Sequence, residues 1–168
     1  MATVTLRGNT INLAGTMPKV GDTAPDFTLV GSDMAPITKA SLAGKKKVIV
    51  TVPSLDTPVC QVETRSFNEK AAALGDNVVV VIASSDLPFA AKRFCTTEGL
   101  ERVKSGSDLR DRDFGKRWGV AIADGPLQGV TARAVFVVDE NDKITYTELV
   151  PEIAQEPNYD AALAALKG

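Results

Sequence analysis

Two largely apolar runs, KVIVTV at 47–52 and VVVVIA at 78–83, most constrain what this chain can become. Runs of this length, rich in β-branched residues and bounded by polar turns, read as strands buried on both faces. Between them Val59, Val62, Phe67, Ala71 and Leu74 recur at helical spacing, and Gly75-Asp76-Asn77 closes the pattern. Strand, helix and strand joined by a right-handed crossover place the two runs as neighbours at the centre of a sheet.

The flanking segments extend this core. TVTLRGNTINL alternates apolar and polar residues on both sides of Gly8-Asn9, the pattern of a β-hairpin. A Gly/Pro-rich loop, MPKVGDTAPDF, leads into a short strand, FTLV, and SLAG closes a turn. LPFAAKRFC reads as a helix opening at Pro88 and reaching Cys95 in its last turn. Residues 98–113 read as irregular and polar, DFGKRWGVAI as a helix and loop, and ARAVFVVDENDKITYTELV as a strand, a turn at 139–142 and a returning strand. NYDAALAALKG is a last amphipathic helix. The expected architecture is α/β, a mixed central sheet flanked by helices with an N-terminal β-hairpin, in one domain spanning 1–168 with 1–14 as the hairpin extension.

Charge and composition narrow the chemistry. With a formal net charge of −2 and no basic stretch that outweighs its acidic surroundings, neither nucleic acid nor an anionic membrane is an expected partner. Lys45, Lys46 and Lys47 read as a solvated edge before the first central strand. No apolar leader or membrane-length run is seen, so the expected location is the cytoplasm, where two cysteines are more at home as free or catalytic thiols than as a staple. The chain has no histidine. That removes Ser/His and Cys/His catalysis, and two cysteines alone cannot fill a zinc shell, so no metal and no cofactor are expected.

One cysteine stands where a helix begins. In PSLDTPVC, Thr57 as N-cap and Pro58 as first helical residue put Cys60 at the third position, beside unpaired backbone N–H groups at the positive end of the helix dipole. A thiolate is favoured there. Pro53 ends the preceding strand and would shield the sulfur, and the Thr57 hydroxyl could serve either the cap or the thiolate. An ordinary helix start with Cys60 as a small core residue fits the same eight residues. Cys95 ends the next helix while Cys60 begins its own. An eight-residue helix is roughly 12 Å long, and a disulfide needs Cα atoms within about 7 Å. Bridging would therefore require helix ends to unwind, which describes a disulfide that forms and breaks.

PSLDTPVC fits the Pro-x-x-x-Thr-x-x-Cys signature of the peroxiredoxins, and GDTAPDFTL resembles the segment ahead of their first core strand. SSDLPFAAKRFC, WGVAIADGPLQG and ARAVFVVDENDKI, with the N-terminal hairpin, are similar to the bacterial thiol peroxidases, an atypical two-cysteine group. The resemblance implies a thioredoxin-like fold and the reduction of hydrogen peroxide and alkyl hydroperoxides. It implies Cys60 as peroxidatic and Cys95 as resolving cysteine, joined in a transient disulfide, with Pro53, Thr57 and Arg133 as the other site residues. Thioredoxin as reductant and a homodimer are likewise implied. Arg133 has a reading of its own: it opens an apolar strand, and a buried guanidinium requires an anion, either a thiolate or one of the many carboxylates. Leu55, Phe89 and Phe94 would favour alkyl substrates if they line the site, and are ordinary core residues if not; Phe114 and Trp118 read as core or interface. A peroxide sensor acting on a partner protein would use the same two thiols.

Overall fold

A computed structural model describes residues 2–71 and 73–167 of the chain. Among the described residues ten strands and four α-helices follow in the order β1 (Thr3–Leu6), β2 (Asn9–Ala14), β3 (Thr28–Gly31), β4 (Pro36–Thr38), β5 (Lys46–Thr51), α1 (Pro58–Ala71), β6 (Val78–Ser84), α2 (Pro88–Glu98), β7 (Lys104–Ser107), α3 (Phe114–Arg117), β8 (Ala121–Ile122), β9 (Ala134–Val138), β10 (Ile144–Leu149) and α4 (Tyr159–Leu166). Seven strands form one mixed sheet in the order β10-β9-β5-β6-β7-β3-β4, and β1-β2-β8 form a second, small sheet.

The two apolar runs are β5 and β6, paired in parallel from Lys46↔Val78 to Thr51↔Ala83. Their side chains alternate between two cores. Val48, Val50, Val80 and Ile82 face a cluster with Phe67 of α1, Ala91 of α2 and Leu166 of α4. Ile49, Val81 and Ala83 face the other, with Phe114 and Trp118 and with Val4, Ile11 and Leu13 of the hairpin. A strand buried on both faces has no polar face to show, hence the largely apolar runs. Trp118 lies at the centre of its cluster, edge-on to Phe136 with ring centroids 4.9 Å apart.

Several details depart from expectation. The hairpin turn lies one residue earlier, at Arg7-Gly8, both with positive φ (51° and 84°), as a two-residue turn matched to strand twist requires. Strands β4 and β7 form within stretches that carry no strand pattern. β7 is KSGS, and its Gly106 lies against Leu29, where an added Cβ would meet Leu29 Cδ1 at 2.8 Å. The inward face of α1 carries Cys60, Glu63, Thr64 and Phe67, whereas Val62 is exposed.

Lys47 is also a correction. It is fully buried, and its ammonium reaches Asp142 in the β9–β10 turn at 2.5 Å and donates to the Asp139 carbonyl at 3.3 Å. Antiparallel pairing of Lys47 with Val138 brings it under that turn, so the expectation of a solvated edge fails at this one lysine. Replacing Asp142 by Asn keeps the left-handed backbone at that position but strands the ammonium. The expected loss is about 2 kcal/mol, below the roughly 3–5 of a fully buried pair because Asp142 is part-exposed. Urea unfolding of Asp142→Asn against the unaltered protein checks this, and an unchanged midpoint refutes it.

Candidate active site

The site forms where β5 ends and α1 begins, at the carboxyl edge of the parallel strands, where open α/β sheets leave a crevice. Pairing of Thr51 with Ala134 sets the residues just beyond β5 beside those just before β9. Two side-chain bonds lock the crossing: Thr51 Oγ1 donates to the Ala132 carbonyl (2.7 Å), and Thr131 Oγ1 to the Val52 carbonyl (2.9 Å). Arg133 therefore enters directly beneath the first turn of α1.

There it meets the cysteine. Cys60 is completely buried, and its Sγ accepts a hydrogen bond from Arg133 Nη1 at 3.3 Å. The same Nη1 donates to Glu63 Oε2, and Arg133 Nε donates to the Ile153 carbonyl at 2.9 Å. Glu63 is one helical turn beyond Cys60 on the same face. Burial opposes the charge of Arg133, yet Glu63 and Cys60 hold its pKa above the ordinary value. Burial also drives the Glu63 carboxyl from 4.5 up to about 7; Arg133 partly offsets this, while Glu148 and Glu156 add to it.

Thr57 and Pro53 complete the rim. The Thr57 carbonyl accepts the Gln61 amide (2.9 Å), the first helical bond, but its hydroxyl donates to the Ser54 carbonyl (3.1 Å) and so is committed backward into the loop. Pro53, Thr57 and Arg133 line an open pocket of about 570 Å³, walled by Leu6 and Arg7 of the hairpin and by Leu127 and Ile153. Cys60 lies behind Arg133, one hydrogen bond from this pocket.

Cys95 is half-buried on α2 and packs at the edge of the cluster that contains Cys60. Both are free thiols. Burial pushes the Cys95 thiol up. Its carbonyl accepts the amides of Gly99 and Leu100 at the helix end, with Gly99 left-handed (φ 66°), so freeing Cys95 means undoing this closure.

Leu55, Phe89 and Phe94 do not line the pocket above Arg133. Leu55 and Phe94 border a separate hollow of about 290 Å³ between α1 and α2, and Phe89 is 69% exposed. Phe114 and Trp118 are core residues. Glu63 was not singled out in the sequence; the only cue was its position three residues after Cys60. Among the described residues, no group of three or more His, Cys, Asp or Glu could hold a metal ion, and no helix is long and apolar enough to cross a membrane.

The raised carboxyl has a consequence for stability. Between pH 4.5 and about 7 the folded protein keeps the Glu63 proton that the unfolded chain has lost, so raising the pH through this window destabilises the fold, by about 1.4 kcal/mol per pH unit at most. Glu63→Gln should flatten that dependence, as read from chemical denaturation at pH 5, 6 and 7; parallel curves for the two proteins would contradict it.

Comparison with known proteins shows the family. The redoxin family profile matches residues 19–163. The thiol peroxidase of Leptospira interrogans is 52% identical over 167 residues, spanning 98% of this chain and 97% of its own length. That of Mycobacterium tuberculosis is 54% identical over 166 residues, spanning 99% of both. A crystal structure of a peroxiredoxin-like protein from Aquifex aeolicus, 46% identical, superposes with a TM-score of 0.93 over 99% of this chain and 96% of its own. A full-length likeness at this level fixes the thioredoxin-like fold and the enzyme class together: the chain belongs to the redoxin family as a thiol peroxidase, an oxidoreductase of the peroxiredoxin type.

Proposed function

We propose that this thiol peroxidase reduces hydrogen peroxide and organic hydroperoxides through Cys60 as peroxidatic and Cys95 as resolving cysteine, within one peroxiredoxin domain whose residues 1–14 are a hairpin extension. The observation that carries the reading is the Arg133 guanidinium donating to Cys60 Sγ at a helix start, directly behind an open pocket. A cation and a helix N-terminus converging on one sulfur favour the thiolate, the nucleophilic form.

The Cys60 thiolate attacks the terminal oxygen of the hydroperoxide. A sulfur–oxygen bond forms, the O–O bond breaks, and the departing alkoxide takes up a proton to leave as alcohol or water. Arg133 at the pocket floor donates to the peroxide oxygens as charge moves across the O–O bond. Thr57, whose hydroxyl proton points to the Ser54 carbonyl, offers its lone pairs to the O–H of the incoming hydroperoxide. Pro53 has no N–H and keeps water from the sulfur side. The Cys95 thiol then gives up its proton as its sulfur attacks the Cys60 sulfenic acid: the sulfur–sulfur bond forms, the sulfur–oxygen bond of the sulfenic acid breaks, and the departing hydroxide takes that proton to leave as water. This step requires local unwinding, because Cys60 is buried in α1 and the Cys95 carbonyl is tied into the end of α2. A dithiol protein, thioredoxin by family resemblance, returns both thiols through a mixed disulfide. A homodimer in the cytoplasm belongs to the same reading.

The pocket supports organic substrates. Hydrogen peroxide, with only two heavy atoms, fills a small part of the 570 Å³ between the hairpin, Leu127 and Ile153. Cavities of this size with mostly apolar walls suit small organic ligands.

Three measurements test these assignments. In a coupled assay with thioredoxin, thioredoxin reductase and NADPH, Cys60→Ser should abolish turnover, whereas Cys95→Ser should consume about one equivalent of peroxide and stall; full activity of Cys60→Ser would overturn the reading. Thr57→Val should lower kcat/KM about 10²-fold with little change in thermal unfolding. Leu127→Ala should reduce the ratio of cumene hydroperoxide to hydrogen peroxide kcat/KM about tenfold, and an unchanged ratio would remove Leu127 from the substrate wall.

A further inference from the structure

We propose that Cys60 and Glu63 share one ionisable proton around the single guanidinium of Arg133, so that Cys60 becomes a thiolate by handing its proton to Glu63. This rests on the reading of Cys60 as the thiol that meets peroxide, and it makes Glu63 a positioning residue that acts through Arg133 and Cys60 rather than on substrate.

The geometry is that of two acids and one cation. Arg133 Nη1 donates to Cys60 Sγ and to Glu63 Oε2 at once. Cys60 and Glu63 are both fully buried, and Arg133 is nearly so. The other groups that bear on Glu63 add no positive charge: Glu148 on β10, Glu156 in the loop before α4, and Tyr159 on α4, whose hydroxyl donates to Glu156 at 2.7 Å. Arg133 is the only cation bonded to either acid among the described residues. One buried guanidinium neutralises one anion; a thiolate and a carboxylate together would leave a net negative charge without water around it.

The second observation is an oxygen without a partner. Glu63 Oε1 is buried and makes no hydrogen bond. An ionised carboxylate would leave this charged acceptor unsatisfied, which is costly. A carboxylic acid with its proton on Oε1 removes the charge and still lets Oε2 accept from Arg133. Burial raises the carboxyl to about 7, so near neutral pH Glu63 is able to hold a proton.

The proton balance then closes within the cluster. Before attack, Cys60 Sγ–H and the Glu63 carboxylate become thiolate and carboxylic acid with no proton taken from solvent. After attack the sulfur is a neutral sulfenic acid. The alkoxide released into the open pocket takes up one proton while Glu63 gives one up, and the carboxylate alone again pairs with Arg133. The cluster carries the same net charge before and after oxidation.

Two coupled acids titrate in two macroscopic steps. The test follows thiolate absorbance near 240 nm against pH in Cys95→Ser protein, where Cys60 is the only thiol, with Glu63 present or replaced by Gln. With Glu63 the absorbance should rise in two steps of partial amplitude. With Glu63→Gln it should rise in one step of full amplitude, with at least about twofold more thiolate at pH 7. A single step with the same midpoint in both proteins overturns the proposal. Should Glu63→Gln fail to fold, the reciprocal measurement serves: the ¹³C signal of the Glu63 carboxyl should titrate in one step once Cys60→Ser removes its competitor, and an unchanged titration overturns the sharing. Single-turnover oxidation by peroxide separates the two claims. If Cys60 titrates in two steps but is never oxidised, the functional reading falls and the shared proton stands; if it is oxidised but titrates in one identical step, the reverse holds.

Discussion

The buried guanidinium of Arg133 is the interaction on which the site depends. A charge taken out of water needs anionic and hydrogen-bonding partners on every side it presents. Here two parts of the chain supply three groups: Cys60 and Glu63 from the first turns of α1, and the Ile153 carbonyl from the segment after β10. Removing any one partner would leave the cation under-satisfied, so α1, β9 and the 151–153 segment are held in one arrangement. The resulting cluster holds one cation against a thiol and a carboxyl in a water-poor place.

The N-terminal hairpin belongs to this arrangement. Thr5 exchanges backbone bonds with the 151–153 segment, donating to the Pro151 carbonyl at 2.8 Å and accepting from the Ile153 amide at 2.9 Å. The segment whose carbonyl orients Arg133 is thus pinned by β1. The hairpin tip also forms a wall of the pocket through Leu6 and Arg7. The redoxin match begins at residue 19, so this wall lies outside the shared core. The hairpin thus both braces the segment that orients Arg133 and lines the pocket beside it.

Helix α1 shows why sequence patterning misjudges a functional helix. Apolar spacing picks out Val59, Val62, Phe67, Ala71 and Leu74; Phe67, Ala71 and Leu74 do pack on the core, yet Val62 is exposed and the rest of the buried side is Cys60, Glu63 and Thr64. The buried face is polar because it is completed by Arg133 from another element, and Thr64 donates to the Cys60 carbonyl one turn back at 2.7 Å. Lys47 repeats the lesson in the sheet: a lysine in a central strand looks like a solvated edge until the β9–β10 turn delivers Asp142 to it. In both cases the partner lies 70 or more residues away in sequence, beyond any local window.

The sequence by itself determined the central strands, the helices that follow them and the hairpin, because β-branched runs, helical spacing and turn residues act within a few residues of one another. It also marked Cys60 as a thiol at a helix start, since Thr57-Pro58 is a local signal. Only the tertiary structure decided which charges meet. The antiparallel entry of β9 beside β5 sets Arg133 under α1, burial raises the Glu63 carboxyl toward neutrality, and packing of α2 holds Cys95 as a half-buried free thiol. Electrostatic interactions act through space and are scaled by burial, so their strength is fixed by the fold and not by the order of residues.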